Sequence, residues 1–510
     1  MQGNSLLDEY EGIQLFSDKI LNNFLKNYKR NLETKNIKEI NIQFNLLDNQ
    51  IDINQQMKQL IIYQTELFKT SDSKKKKELK EHIEDVQLGI IRKSINDFKK
   101  ETEISNLMKK RQKPWFIWKL EFFDVFKENG GFDIVIGNPP YGLINKQQNQ
   151  KTSIQMNEKE INSIKNNPIY EPSKGRFINM FSLFICKGLN LLNESGNFNM
   201  IFPMAYMCDL SCGNLRKMIF DKTKINMLDA FPERDNVNKR VFASAKMSVC
   251  ILNCSKTSTK SNVFPLRINN DKFIDYNNEI TNISLKLIKN MDPNNYSIPL
   301  IHNNEIKLFE KISNNSIYLN SFSKCYEGEI NITTHKQYIK YSNDFSPLIR
   351  GAQVQKYKLL SHISQGDILY LDDNNYLKDV NNIKRIIMQG ITGINEKSRL
   401  KMTIINNGIF CANSVNYLLI DEKYIYYILA ILNSNLMNWY YKKISTNSNV
   451  NGYEVDYLPI IINKTKVEFL TNLVKCQLTN YQDEIEKVIN ETVYEIYDLD
   501  FDEIKIVESK

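Results

Sequence analysis

Four consecutive residues, Asn138-Pro139-Pro140-Tyr141, combine groups able to handle a conjugated amine. Moving a methyl group onto an exocyclic amine requires the nitrogen lone pair to be freed from the ring. Two acceptors aimed at the amino hydrogens achieve this: the side-chain oxygen of Asn138 and the backbone carbonyl of Pro139, which proline's fixed φ holds rigidly. Tyr141 offers a flat face to a base taken out of a duplex, and such stacking is worth ~1–3 kcal/mol. Asn-Pro-Pro also serves as a plain turn after a strand. The preceding Phe132-Asp133-Ile134-Val135-Ile136-Gly137 favours chemistry instead, because ligands of open α/β sheets bind beyond the carboxyl ends of the strands.

That hexapeptide reads as a short strand with apolar residues on both faces, suited to the middle of a parallel sheet covered by helices on each side. Ahead of it, Trp118 to Phe126 is an aromatic cluster, and Asn129-Gly130-Gly131 a turn. After it, Phe177, Met180, Phe181, Phe184, Gly188, Leu191 and Leu192 form one helical stripe, which Glu194-Ser195-Gly196 is expected to stop. A strand from Phe198 to Phe202 ends at Pro203. Leu215, Met218 and Ile219 mark a helix, and Ile225 to Leu228 and Met247 to Leu252 two more strands. Strands alternating with helices imply an α/β domain with a mainly parallel sheet.

Leu15 to Lys110 reads as helix almost throughout, with Thr70-Ser71-Asp72-Ser73 turning between two antiparallel helices. The lysines that follow, Lys74 to Lys77, suit a solvated turn better than a phosphate contact. Ser255 to Asn262 reads as a loop. Short strands and one helix, Tyr424 to Tyr441, fill 293–462, and Lys466 to Leu499 reads as terminal helices.

Composition adds bounds rather than identity. The 510 residues suffice for two or three domains, and 42% hydrophobic with 25% charged residues is ordinary for a globular chain. A formal charge of +8 permits a nucleic-acid partner without demanding one. None of the eight cysteines forms a Cys-x-x-Cys pair, and the four histidines lie far from them, so buried thiols are expected and no metal site. No signal peptide is recognised, and the most apolar run, Tyr424 to Leu432, is shorter than the ~20 residues a membrane span needs. A cytoplasmic protein with no membrane partner is expected.

At residues 132–141 the sequence resembles the catalytic motif of DNA adenine-N6 methyltransferases, and more closely the methylase part of type IIG restriction–modification enzymes. Trp118 to Phe126 is similar to the aromatic segment before that group's catalytic strand, and Phe181 to Arg216 to the helix–strand–helix after it. Val241-Phe242 stands where the family has an aromatic that packs on the flipped adenine; a plain core role for Phe242 is equally open. Pro347 to Gly351, Leu432 to Leu436 and Leu458 to Ile460 resemble a TaqI-like target-recognition domain, and Glu491 to Leu499 the usual end of these proteins, so the likeness runs from the first residues to the last.

The resemblance implies an α/β fold: a partial Rossmann-like methyltransferase sheet with a long helical insert, followed by an α/β target-recognition domain. The expected segments are a remnant of the cofactor-binding half (1–14), the helical insert (15–115), the catalytic half (116–275), the target-recognition domain (276–465) and C-terminal helices (466–510). It implies S-adenosylmethionine as methyl donor and double-stranded DNA as partner. Asn138, Pro139, Pro140 and Tyr141 would be catalytic, Phe242, Arg350 and Lys356 would contact the substrate, and Asn4 the donor.

The departures matter as well. The family's glycine-rich loop and acidic residue for the donor have no counterpart, and Gly3-Asn4-Ser5-Leu6 resembles only the third cofactor motif. A partner chain supplying the upstream cofactor-binding half is therefore expected. No Asp…Glu-x-Lys nuclease arrangement is recognised, so DNA cleavage is not expected. Two rival readings stay open: a non-catalytic DNA-recognition fragment or inactive remnant, and a protein glutamine methyltransferase, whose family also uses Asn-Pro-Pro-Tyr.

Overall fold

The computed structural model describes residues 4–33, 53–95, 98–110, 113–145, 153–175, 177–257, 261–363, 366–373 and 383–509. Gly3, parts of the expected helical stretch (34–52, 96–97) and part of the expected loop (258–260) lie outside the described residues. The chain packs as two units. The first holds Met1–Phe202, Met218–Asn226 and Ile251–Lys260; the second holds Pro203–Lys217, Met227–Cys250 and Ser261–Lys510.

In the first unit the helical segment comprises α1 (Asp18–Glu33), α2 (Ile53–Lys69), α3 (Ser73–Ser94) and α4 (Phe98–Lys109). Met57 and Leu60 of α2 and Leu79, Ile83, Ile90 and Ile91 of α3 are buried at helical spacing, so each helix hides one apolar stripe. Asp72 caps α3 by accepting from the Lys74 N–H at 2.8 Å; Lys74 to Lys77 are exposed to solvent as expected, but they form the first turn of α3 rather than part of the preceding turn. The buried Gln64 amide donates to the Leu120 and Glu121 carbonyls at 2.8 and 3.1 Å. Those bonds fix the helices to the segment leading into Phe132–Gly137.

Six strands form the main sheet: β1 (Phe132–Gly137), β2 (Leu192–Pro203), β3 (Thr223–Phe231), β4 (Val249–Lys256), β5 (Val263–Ile268) and β6 (Ile280–Ser284), in the order β6-β5-β3-β4-β2-β1. β1 runs parallel to β2, and β3 parallel to β5; β5 and β6 are antiparallel. The fold is thus mixed α/β. Phe132, at the start of β1, receives the edges or faces of Trp118, Phe122 and Phe126 at centroid distances of 5.3–6.0 Å, which gives the aromatic segment its structural purpose. Helix α5 (Met180–Leu191) lies against β1 and β2 so closely that a Cβ at Gly188 would stand 2.7 Å from the Phe198 ring and 3.3 Å from Val135.

Three expectations need correcting here. β1 is not a mid-sheet strand covered on both faces; as the missing upstream cofactor-binding half implied, it ends the sheet among the described residues, and Ile134 and Ile136, on one face, are 65% and 78% exposed. Helix α5 starts at Met180, leaving Phe177 ahead of it and exposed, and stops at Leu191. Glu194-Ser195-Gly196 therefore sits inside β2, where the register jumps from Phe132↔Leu192 to Ile134↔Asn197. Gly196 is needed there because a Cβ would lie 2.7 Å from the Phe132 carbonyl oxygen. β4 extends to Lys256, taking the start of the expected loop into the sheet.

In the second unit, two four-stranded sheets carry 325–418. One orders Cys325–Glu327, Val415–Leu418, Arg385–Gln389 and Met402–Ile405, all antiparallel. The other orders Ile339–Lys340, Leu369–Leu371, Ser346–Ile349 and Phe410–Cys411, its last pair parallel. The expected helix Tyr424 to Tyr441 is two: Ile425–Asn433 and Asn435–Ile444. Ser434 leaves helical geometry at ψ 157°, and its hydroxyl caps the second helix through the Met437 N–H at 3.2 Å. Val467–Thr479, Asp483–Ile496 and Phe501–Glu508 complete the chain. Seven of the eight cysteines are buried and all are free, and no described helix is long and apolar enough to cross a membrane.

The tight helix–sheet contact yields a stability prediction. Gly188→Val should destabilise the protein by about 2–3 kcal/mol through overpacking against Phe198 and Val135. A urea titration would register this as a lower midpoint; an unchanged midpoint would mean that α5 can move away from the sheet.

Candidate active site

Asn138 follows directly on β1, at the carboxyl end shared with its parallel neighbour β2. Asn138 and Pro140 are exposed, Pro139 is buried, and Tyr141 is half-buried. The Tyr141 hydroxyl donates to Asn138 Oδ1 at 2.8 Å and lies 3.2 Å from the Ile201 carbonyl oxygen near the end of β2. Two strand ends thus meet on one phenol. The hydroxyl fixes the rotation of the Asn138 amide and leaves its oxygen a second lone pair for an incoming donor.

The chain leaves the site through Gly142, whose φ of +144° lies in a region that favours glycine. Its carbonyl then accepts from the Met180 N–H at 2.9 Å, and the Ile144 N–H donates to the Ile178 carbonyl at 3.0 Å. The loop is therefore pinned to the start of α5, the helix that packs on β1. Reasoning from the sequence missed the Ile201 carbonyl and this pinning. The available signal was that Ile201 lies near the end of the neighbouring strand.

The other expected site residues are placed as follows. Asn4 pairs with the segment before the aromatic cluster: its N–H donates to Pro114 O at 3.1 Å, and its Oδ1 accepts from the Leu6 N–H at 3.1 Å. Its side chain thus stabilises a turn. Phe242 belongs to the second unit, half-buried in the irregular segment between β3 and β4. Asp235 organises that segment by pairing with Lys246 at 2.7 Å and accepting from Asn395 at 2.6 Å. Arg350, half-buried, donates to the Asp367 carbonyl at 3.2 Å. Lys356 forms a largely sequestered ion pair with Glu486 at 2.9 Å. Burial raises the Glu486 carboxyl, but Lys356 and the Tyr481 hydroxyl outweigh it and hold that group below the usual range.

For a methyl donor, the residues present supply only part of a site. A donor pocket beside β1 needs a strand and a glycine-rich loop along the strand's open side, and among the described residues β1 has no neighbour there. What the strand end does assemble is an amide oxygen oriented by a phenol, the buried Pro139 and the Tyr141 ring.

Comparison with known proteins finds likenesses over two stretches of the chain. Residues 19–237 match the Eco57I restriction-modification methylase family, and residues 346–460 the TaqI-like C-terminal specificity domain. A protein of Methanocaldococcus jannaschii named "Putative type II restriction enzyme and methyltransferase" is 26% identical over 423 residues, which is 75% of this chain and 32% of that protein. The chain thus spans about a third of the length of that relative. Among solved structures, the type IIL restriction-modification enzyme MmeI in complex with DNA is similar at 9% identity and a TM-score of 0.49, covering 83% of this chain and 64% of that one. A DrdV–DNA complex is similar at 10% identity and a TM-score of 0.43, covering 77% and 50%. This chain is therefore similar to the Eco57I restriction-modification methylases over residues 19–237 and to the TaqI-like C-terminal specificity domains over residues 346–460.

Proposed function

We propose that this chain holds the target base for a site-specific DNA methyltransferase of a restriction–modification system, and that the acceptor is adenine N6. The observation that carries this reading is the Tyr141–Asn138 hydrogen bond at the carboxyl end of β1. Asn138 Oδ1 and the Pro139 carbonyl accept the two amino hydrogens, which turns the nitrogen lone pair out of conjugation. The Tyr141 ring supports the base face. S-adenosylmethionine, when bound, supplies an electrophilic methyl group on a sulfonium. Phe242 and Arg350 remain proposed substrate contacts; Lys356 and Asn4 are less suited to contact, being held by Glu486 and by the Leu6 turn.

We further infer that the open side of β1 is covered by additional polypeptide carrying the donor's glycine-rich loop, in the same chain or in a partner. An uncovered apolar strand edge invites association, so proteins normally protect it. DNA recognition without catalysis is the second reading, favoured by the partial donor site. A glutamine methyltransferase has no evident use for a specificity domain at 346–460.

With the covering polypeptide present, Asn138→Ala should lower methylation of duplex adenine by about 10²–10³-fold, the scale of losing one preorganised polar contact. Tyr141→Phe keeps the ring and should cost about tenfold or less, whereas Tyr141→Ala should match Asn138→Ala. Activity surviving in Asn138→Ala removes this mechanism. The chain alone should bind S-adenosylmethionine very weakly by calorimetry and self-associate by light scattering. Replacing Ile134 and Ile136 with lysine should suppress that self-association and also prevent assembly with the covering polypeptide. Tight donor binding by the chain alone would contradict this account.

A further inference from the structure

The second unit carries a group of cations that its own carboxylates do not neutralise. The segment Glu396 to Leu400 is clamped on helix Asn435–Ile444 by one side chain: Asn438 Nδ2 donates to the Lys397 carbonyl at 2.9 Å, and Asn438 Oδ1 accepts from the Arg399 and Leu400 N–H groups at 2.7 and 3.3 Å. Lys442 follows Asn438 by four residues and so shares its helix face. The clamp thereby sets Lys397 and Lys442 on one platform.

Beneath it Arg399 is 1% exposed and fixed. Its Nε donates to Thr392 Oγ1 at 2.9 Å, its Nη2 to the Asn447 carbonyl at 2.7 Å, and its guanidinium lies 5.2 Å from the Tyr441 ring centre. The neighbouring carboxylates pair with other cations: Glu396 with Lys401 at 3.5 Å, Glu305 with Lys443 at 2.5 Å, and Glu486, which also feels the Lys397 charge, with Lys356 at 2.9 Å. Glu454 is pushed up to about 7 by burial despite its bond from Tyr441, so it offsets Arg399 only in part. Lys397 is exposed, Lys442 is half-buried, and neither has an ion-pair partner among the described residues. Burial, then Arg399, Lys443 and Lys397, press the Lys442 ammonium below the ordinary lysine range, with Glu396 acting in the opposite sense. A half-buried lysine held among like charges costs stability in the free protein. An anion placed over it would recover that cost.

We propose that Lys397 and Lys442 hold the phosphate backbone of duplex DNA, on a platform set by Asn438 and Arg399. The proposal rests on the DNA-binding reading above and adds the residues that position the backbone rather than read bases. Phosphate contacts of this kind fix register and orientation on the duplex and carry no sequence information themselves. The surface is positive, lies within the residues matched to a specificity domain, and is built rather than floppy. A protein partner with an acidic face is the rival occupant.

The test is fluorescence anisotropy of the full chain, with its covering polypeptide where assembly requires it, on cognate and scrambled duplexes from about 50 to 200 mM salt. Lys397→Gln and Lys442→Gln should each reduce the slope of log affinity against log salt by about 1, and together by about 2, weakening both duplexes equally. Lys442→Arg should keep the wild-type slope. Without DNA, Lys442→Gln should melt no lower than wild type, because it removes repulsion; a merely structural lysine would lower it. An unchanged slope in the double variant overturns the proposal, as does a loss confined to the cognate duplex. A wild-type protein that binds no duplex at all overturns both this proposal and the DNA reading beneath it.

Discussion

The parallel pairing of Phe132–Gly137 with Leu192–Pro203 is the constraint on which the rest depends. It brings the ends of two strands side by side, so that one phenol can lie between Asn138 Oδ1 and the Ile201 carbonyl. Everything around the pair maintains that meeting. Three aromatic rings hold Phe132 at one end, Gly188 lets a helix press on the middle, and the Gly142 carbonyl ties the outgoing loop to the start of the same helix. A strand-end displacement of an ångström would break the phenol's two contacts. Methyl transfer tolerates little misplacement of its acceptor, and a tightly braced strand end meets that demand.

The same strand is also where the molecule is least finished. Its outer edge has no described neighbour, and two isoleucines stand exposed on one face. In the proposed reading, acceptor chemistry uses the paired side and donor chemistry the open side. A single docking event would then both protect the edge and complete the site.

The sequence disclosed what is local. The bounds of Phe132–Gly137 and a turn at Thr70–Asp72 follow from hydrophobic pattern and punctuation over a few residues, and Asn-Pro-Pro-Tyr is contiguous. What it concealed depends on distant partners. Glu194-Ser195-Gly196 looked like a helix stop because glycine favours one, whereas Gly196 answers to the Phe132 carbonyl sixty-four positions earlier in the chain. Lys356 looked like a free cation until Glu486 came beside it. The break at Ser434 was visible as Asn433-Ser434-Asn435, but the strongly apolar flanks suggested continuity. Lys397 and Lys442 carried no motif at all, because Asn438 joins segments that are forty-one residues apart.

The central claim is that the oriented Asn138 amide presents adenine N6 for methylation, and product identity tests it most directly. Duplex DNA would be incubated with S-adenosylmethionine and with this chain assembled with the polypeptide that covers its open strand, then digested to nucleosides for mass spectrometry. The account predicts N6-methyladenine at one recognised sequence. Methyl groups on cytosine or on a protein glutamine, or unmethylated DNA from an assembly shown to bind both donor and duplex, would contradict it.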